Sequence, residues 1–192
     1  MKKQIKTSWL ITALLLITAM MLSLAACGAE PKPEEEPVSE EEVMEEQMSG
    51  TFLEDRDQPF QFETVDFYGD PYTSEDCSGA KVILVNFWEP WCGPCVGEIP
   101  ELEKLYENYQ DQGFLILGAY SETGMNEDIT QILEEGGVTY PVIYANEEMQ
   151  HYMTDYYPTS FFIDGSGTVL SEYPVVGSQD YDAWEALLKE YL

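Results

Sequence analysis

The pattern of hydrophobic and polar positions from residue 60 onward predicts alternating strands and helices. Two runs that are apolar at nearly every position, Val82–Trp88 and Phe114–Tyr120, are typical of strands buried on both faces of a sheet. Shorter strands are predicted at 142–144, 160–163 and 168–173, and helices at 98–109, 126–135, 147–153 and 181–192.

Ahead of the first buried run, residues 60–66 alternate between apolar and polar, and a Gly-Asp-Pro turn follows at 69–71. This combination predicts an edge hairpin. The complete order is a hairpin, a β-α-β half, an antiparallel hairpin and a last helix. It predicts an α/β fold with a mixed central sheet flanked by helices and an N-terminal hairpin extension.

The first 26 residues are organised as an export signal. Three lysines within the first six residues precede an apolar run from Trp9 to Ala26. The run closes with Leu-Ala-Ala-Cys, which resembles the lipobox of bacterial lipoproteins and implies cleavage before Cys27 and lipidation of this residue. An uncleaved transmembrane helix is the alternative, since an 18-residue run lies at the short end of what spans a bilayer. Both interpretations put the rest of the chain outside the cytoplasm, beside a membrane.

Residues 27–55 carry eleven acidic side chains, one lysine and very few apolar residues. Such a segment cannot bury enough apolar surface to fold, and its charges repel one another. We therefore predict three regions: a signal peptide at 1–26, an acidic disordered tether at 27–55 and a folded domain at 56–192.

The charge balance narrows the possible partners. Thirty-seven acidic residues against eight lysines and arginines give a formal net charge of -29, which repels nucleic-acid phosphates. Nucleic-acid binding is therefore excluded as a function. With His151 as the single histidine, a His-rich zinc or haem site cannot be built, and the four cysteines become the candidate reactive groups.

A Cys-x-x-Cys sequence, Cys92-Gly93-Pro94-Cys95, follows the first buried strand and opens a helix. Free N–H groups and the positive end of the helix dipole stabilise a thiolate at the first cysteine, and this spacing allows a disulfide. A purely structural disulfide and half of a zinc site are the alternatives. The sequence contains no second Cys-x-x-Cys or His-x-x-x-His to complete a zinc site. We therefore predict a redox-active Cys92–Cys95 disulfide, no metal and no other cofactor.

Four segments together resemble the thioredoxin superfamily, and more closely its membrane-anchored TlpA/ResA branch. They are Asn86-Phe87-Trp88, Trp91–Cys95, Pro100 and Tyr157–Asp164. The resemblance extends over residues 56–192 and implies a thioredoxin-like fold. It also implies a cis peptide before Pro158, packed against the dithiol, and pairing of the Tyr157 backbone with substrate. An aromatic ring at Trp91 would give a partner chain an apolar platform.

Two positions depart from thioredoxin itself. The buried aspartate of thioredoxin corresponds to Asn86, which cannot accept a proton. Glu98 lies one helical turn after Cys95, and TlpA/ResA-like proteins resemble this chain in having a glutamate there. We predict that Glu98 takes the Cys95 proton and has a raised pKa; the alternative is a helix-start glutamate favoured by the dipole. The second departure is Glu89, whose carboxylate would raise the thiol pKa if it faced the dithiol.

These features predict an extracytoplasmic, lipid-anchored thiol-disulfide oxidoreductase that mainly reduces disulfides in substrate proteins. The Gly93-Pro94 pair is that of thioredoxin, whose potential of roughly -270 mV is reducing. The resemblance implies a membrane electron donor of the DsbD or CcdA type. One alternative is a Sco-like copper-delivery protein, although that family uses Cys-x-x-x-Cys and a distal histidine. The other is a peroxiredoxin-like peroxidase, although no Pro-x-x-x-Thr-x-x-Cys is present. Cys77 is predicted to be a buried thiol without a redox role.

Overall fold

The computed structural model describes residues 57–192. The predicted signal peptide, the lipidation site Cys27 and the acidic tether lie outside the described residues. Within 57–192, no helix combines the length and the apolar character needed to cross a membrane.

A separate antiparallel pair, β1 (Glu63–Val65) and β2 (Pro71–Thr73), precedes the main sheet. The main sheet is mixed and has five strands: β3 (Val82–Phe87), β4 (Phe114–Tyr120), β5 (Val142–Tyr144), β6 (Thr159–Ile163) and β7 (Val175–Val176). Their order across the sheet is β5-β4-β3-β6-β7. Strand β3 pairs in parallel with β4 and antiparallel with β6, and β4 pairs in parallel with β5. The mixed sheet and the N-terminal hairpin confirm the predicted α/β architecture.

In the described part of the chain, four α-helices accompany the sheet. They are α1 (Gly93–Tyr109), α2 (Asn126–Gly136), α3 (Glu147–Gln150) and α4 (Tyr181–Leu188), and short 3-10 turns lie at Ser74–Cys77 and Gln110–Gln112. Helix α1 has its N-terminus just after β3, and it contacts both α2 and α4. Because α1 carries the dithiol at its N-terminus, the site sits at the carboxyl end of a central strand.

The core has two parts, one on each face of the sheet. Successive side chains of β3 point to opposite faces, so Leu84 joins the cluster that contains Ile99, Leu102 and Trp184, whereas Val85 joins the other cluster. Every residue of β3 is buried, as the continuous apolar run predicts.

The N-terminal hairpin covers the edge of the sheet at β5. The Phe67 N–H donates to the Val142 carbonyl at 2.8 Å, and the Thr64 hydroxyl donates to the Tyr144 carbonyl at 2.6 Å. These bonds occupy backbone groups that a free edge strand would offer to another chain.

The predicted strand at 168–173 is wrong, because the chain makes only an isolated bridge between Ile163 and Val169 there. The Phe162 N–H donates to the Ser171 hydroxyl at 2.8 Å, so a side chain replaces the carbonyl that a continuing ladder needs. On the side of β6 that faces away from β3, the neighbouring strand is β7.

Two helices are shorter than predicted: α3 ends at Gln150 rather than at 153, and α4 ends at Leu188 rather than at 192. Directly after α3, the Tyr152 N–H donates to the Met149 carbonyl at 3.1 Å. This bond spans three residues rather than the four of an α-helix, so the helical ladder does not continue there.

Candidate active site

Cys92 and Cys95 form a disulfide at the N-terminus of α1, with an S–S distance of 2.05 Å and 5.3 Å between the Cα atoms. Cys92 is the N-cap residue, and its Sγ accepts a hydrogen bond from the Cys95 N–H at 3.3 Å. Pro94 occupies the first turn, where its missing N–H costs no helical bond. The first sulfur therefore lies where the helix N-terminus stabilises negative charge.

Both cysteines are enclosed, with Cys92 6% and Cys95 1% exposed. Gly93 and Pro94 between them are exposed, as is Trp91 before them. Cys92 thus lies at the surface end of the pair and Cys95 at the core end.

The second predicted motif lies beside Trp91, the residue that precedes the dithiol. The Tyr157–Pro158 peptide bond is cis, as the resemblance implies, and the Pro158 carbonyl accepts from the Gly177 N–H at 2.9 Å. The Tyr157 ring meets the Trp91 ring edge to face, with 5.4 Å between centroids. It also packs against the core cluster that contains both cysteines. The structure therefore brings Trp91, Tyr157 and the dithiol to one face.

Glu98 is buried in the second turn of α1, with 2% of its surface exposed. Its Oε1 accepts from the Trp184 indole N–H and from the Gln179 backbone N–H, both at 2.8 Å. Its Oε2 accepts from Asn86 Nδ2 at 3.4 Å, and the same Nδ2 donates to Ser160 Oγ at 2.8 Å. A carboxylate enclosed in this way differs from an exposed helix-start glutamate.

Burial raises the pKa of Glu98 to about 7, although the three hydrogen bonds to the carboxylate oppose the rise. The carboxyl can therefore take up and release a proton near neutral pH. This is the property predicted for a group that exchanges a proton with a thiol.

Glu89 is also buried, but its carboxylate faces the loop that follows β4. Its Oε1 accepts from the Ser121 N–H at 2.9 Å and from the Ser121 hydroxyl at 2.5 Å, and its Oε2 accepts from the Glu122 N–H at 3.1 Å. The orientation left open by the sequence is thus decided by two backbone amides 32 and 33 residues away.

The remaining candidates lie outside this site. Cys77 is a free, buried thiol in the core cluster on the other face of the sheet, and burial raises its pKa. His151 is exposed at the end of α3. Among residues 57–192, no three His, Cys, Asp or Glu side chains are grouped to hold a metal ion.

Sequence reasoning missed the partners that hold the two buried glutamates. Helical spacing indicates that Trp184 is a packing residue, but it says nothing about where the indole N–H points. Gln179 donates through its backbone, so its side chain offers no signal. Ser121 and Ser160 lie in segments whose order could be predicted but whose mutual distances could not.

Comparisons with known proteins agree with this geometry. The model of the AhpC/TSA family matches residues 56–172. The thiol-disulfide oxidoreductase ResA of Oceanobacillus iheyensis is 33% identical over 112 residues, a match that covers 57% of this chain and 57% of that protein. ResA of Bacillus thuringiensis is 30% identical over 133 residues, covering 67% of this chain and 73% of that protein.

Solved structures of thioredoxin-family proteins have a similar fold. A thiol:disulfide interchange protein of the thioredoxin family from Chlorobium tepidum superposes with a TM-score of 0.60 at 28% identity, covering 69% of this chain and 93% of that one. The exposed lipoprotein thioredoxin Etrx1 of Streptococcus pneumoniae superposes with a TM-score of 0.54 at 25% identity, covering 68% and 99%. The chain therefore belongs to the AhpC/TSA family and is a TlpA/ResA-like member of the thioredoxin superfamily.

Proposed function

We propose that this protein is an extracytoplasmic, lipid-anchored thiol-disulfide oxidoreductase that mainly reduces disulfides in other proteins. The observation that carries the proposal is the Cys92–Cys95 disulfide at the N-terminus of α1, with the buried Glu98 one turn below it. Relatives named thiol-disulfide oxidoreductases support this assignment.

Cys92 is the attacking residue in this proposal. In the reduced protein its thiolate attacks one sulfur of a substrate disulfide, forming a mixed disulfide and releasing the other substrate sulfur as a thiolate. Cys95 then attacks Cys92 Sγ and releases the second substrate sulfur. The protein ends with the Cys92–Cys95 disulfide and the substrate with two thiols, so two electrons have moved to the substrate.

Glu98 accepts the proton of Cys95 in the second step. Cys95 is almost fully buried, so bulk water has little access to its thiol. Glu98 follows three residues later on the same helix, with a pKa raised by burial to about 7. Asn86, which lies between Glu98 and Ser160, donates hydrogen bonds to both and cannot accept the proton.

Substrate binding is assigned to Trp91, Tyr157 and Pro158. Trp91 is 59% exposed although its ring contacts Tyr157, which makes it an apolar platform beside the dithiol. The Tyr157 backbone would pair with the substrate chain, as the family resemblance implies.

Two features of the sequence support the reducing direction of the reaction and the location of the protein at the membrane. The Gly93-Pro94 pair is that of thioredoxin, which favours a low reduction potential. After each turnover the oxidised dithiol must be reduced again, and a membrane electron donor of the DsbD or CcdA type would supply the electrons. The sequence before residue 56 has the pattern of a lipoprotein leader and an acidic tether, and a relative of similar fold is named an exposed lipoprotein thioredoxin.

Insulin reduction by the full chain and its two cysteine variants tests the proposal. Cys92→Ser should abolish activity, whereas Cys95→Ser should accumulate mixed disulfides that stay linked on non-reducing gels. The reduction potential of the Cys92–Cys95 disulfide, measured by equilibration against dithiothreitol, should lie near that of thioredoxin, roughly -270 mV. Equal trapping by both variants would contradict the division of labour, and a potential near -120 mV would contradict the reducing direction.

A further inference from the structure

Glu89 has no part in the chemistry proposed above, yet it occupies the loop that joins β3 to the dithiol. It lies three residues before Cys92, and its backbone carbonyl accepts the Cys92 N–H at 3.0 Å. Only 2% of its surface is exposed. Burying a carboxylate is costly unless hydrogen bonds replace its water, and here three donors do so.

All three donors belong to the loop that follows β4. The Ser121 N–H, the Ser121 hydroxyl and the Glu122 N–H converge on the two carboxylate oxygens of Glu89. Since two of them are backbone groups, Glu89 sets the conformation of this loop directly. Glu89 thereby links the loop before Cys92 to the loop after β4, which begins 29 residues after Cys92.

The same cluster reaches a third loop through Tyr157. Burial and the charge of the nearby Glu89 raise the pKa of the Tyr157 hydroxyl, and the nearby Ser121 side chain opposes the rise. The Tyr157 ring contacts Trp91, which is two residues after Glu89. Glu89 and Ser121 thus lie close to Tyr157, and Tyr157 contacts Trp91, the residue before the dithiol.

We propose that Glu89 is a positioning residue that preforms the Trp91–Tyr157 surface for disulfides presented by a polypeptide. This inference rests on the proposed function. A protein substrate must lie across this surface, and a surface already ordered before binding avoids the entropy cost of ordering it. A small disulfide needs only the sulfur of Cys92. Loss of the carboxylate should therefore weaken binding of protein disulfides far more than it slows reaction with small ones.

The test compares Glu89→Gln and Ser121→Ala with the unaltered full chain. Glutamine keeps the size of the side chain but removes its charge, and its amide N–H₂ opposes one of the converging N–H donors. Alanine at 121 removes the hydroxyl that donates to Glu89 Oε1. Steady-state reduction of insulin, with dithiothreitol as reductant, gives KM and kcat for each variant. Stopped-flow oxidation of the pre-reduced protein by 5,5′-dithiobis(2-nitrobenzoate), with no other thiol present, gives the rate constant for the small disulfide.

Glu103→Gln is a matched control. Glu103 is another buried glutamate that holds a loop, since it accepts from the Thr139 N–H at 2.8 Å and from the Thr139 hydroxyl at 2.5 Å. It lies eleven residues along α1 from Cys92, on the order of 16 Å at the helical rise. A general loss of stability should affect this variant as it affects Glu89→Gln.

We expect Glu89→Gln and Ser121→Ala to raise KM for insulin about tenfold, with a smaller change in the rate constant for the small disulfide. Glu103→Gln should change the reactions with the two disulfides by the same factor. Equal loss with both disulfides, or an unchanged KM for insulin, would overturn the positioning role. If the unaltered chain reduced neither substrate, the proposed function itself would fail, which is a distinct outcome.

Discussion

The indole nitrogen of Trp184 donates a 2.8 Å hydrogen bond to Oε1 of Glu98, across 86 positions of sequence. Trp184 is fully buried on α4, and Glu98 is buried on α1. The bond favours the ionised carboxylate and opposes the desolvation that raises its pKa. Helix α4 therefore tunes the proton affinity of a group one turn below the dithiol.

Glu98→Gln should slow the resolution of the mixed disulfide. Glutamine retains the shape of the side chain but cannot accept the Cys95 proton, so this step should slow by roughly 10²-fold, the low end for positioned proton transfer. The first attack by Cys92 should change far less. Stopped-flow mixing of reduced protein with a chromogenic disulfide separates the two phases, with Glu103→Gln as the control on the same helix.

In the unaltered protein the resolution rate should rise with pH through about 7, because the acceptor must be ionised. If Glu98→Gln leaves both the rate and its pH dependence unchanged, solvent is the acceptor.

Trp184→Phe should move the midpoint of that pH dependence upward. Phenylalanine keeps an aromatic ring in the core but removes the N–H that stabilises the carboxylate, so the pKa of Glu98 should rise further. The check is the pH profile of the resolution phase, measured in single variants and in the Trp184→Phe, Glu98→Gln double variant. A shift that persists without Glu98 would show that the tryptophan acts elsewhere.

The stability of the oxidised protein should fall as pH rises from about 4.5 to about 7. Because folding raises the pKa of Glu98 from 4.5 to about 7, the folded state binds this proton more tightly than the unfolded chain. The contribution of Glu98 is therefore fully present at low pH and is lost across that window, with a size on the order of 3 kcal/mol. Glu98→Gln should remove it, as seen by comparing denaturant midpoints of the two proteins at pH 5 and pH 8. Equal pH dependence in both would contradict the raised pKa.

Cys27→Ala should abolish lipid attachment in a bacterial host that processes lipoproteins. Cys27 ends the apolar leader in a Leu-Ala-Ala-Cys sequence, and the attached acyl chains are what would hold the protein on the membrane. Metabolic labelling with a fatty acid and fractionation of membranes measure the effect. Labelling that persists in the variant would refute the lipobox interpretation.

Much of the fold could be predicted from the chain alone. Continuous apolar runs are visible wherever a strand is buried on both faces, and this is why Val82–Phe87 and Phe114–Tyr120 were predicted within one residue of their observed ends. The strand predicted at 168–173 failed because the Ser171 hydroxyl takes a backbone donor, and no periodicity records such a bond.

The sequence by itself determined the chemistry: a two-residue spacer places both sulfurs on the first turn of a helix, and helical spacing puts Glu98 on the same face as Cys95. Only the tertiary structure decided how the two glutamates differ. Glu98 takes its donors from Trp184, Gln179 and Asn86 below the dithiol, whereas Glu89 takes its donors from the loop after β4. Burial and long-range hydrogen bonds set the environment of a carboxylate, and both depend on distances between segments that local sequence does not encode.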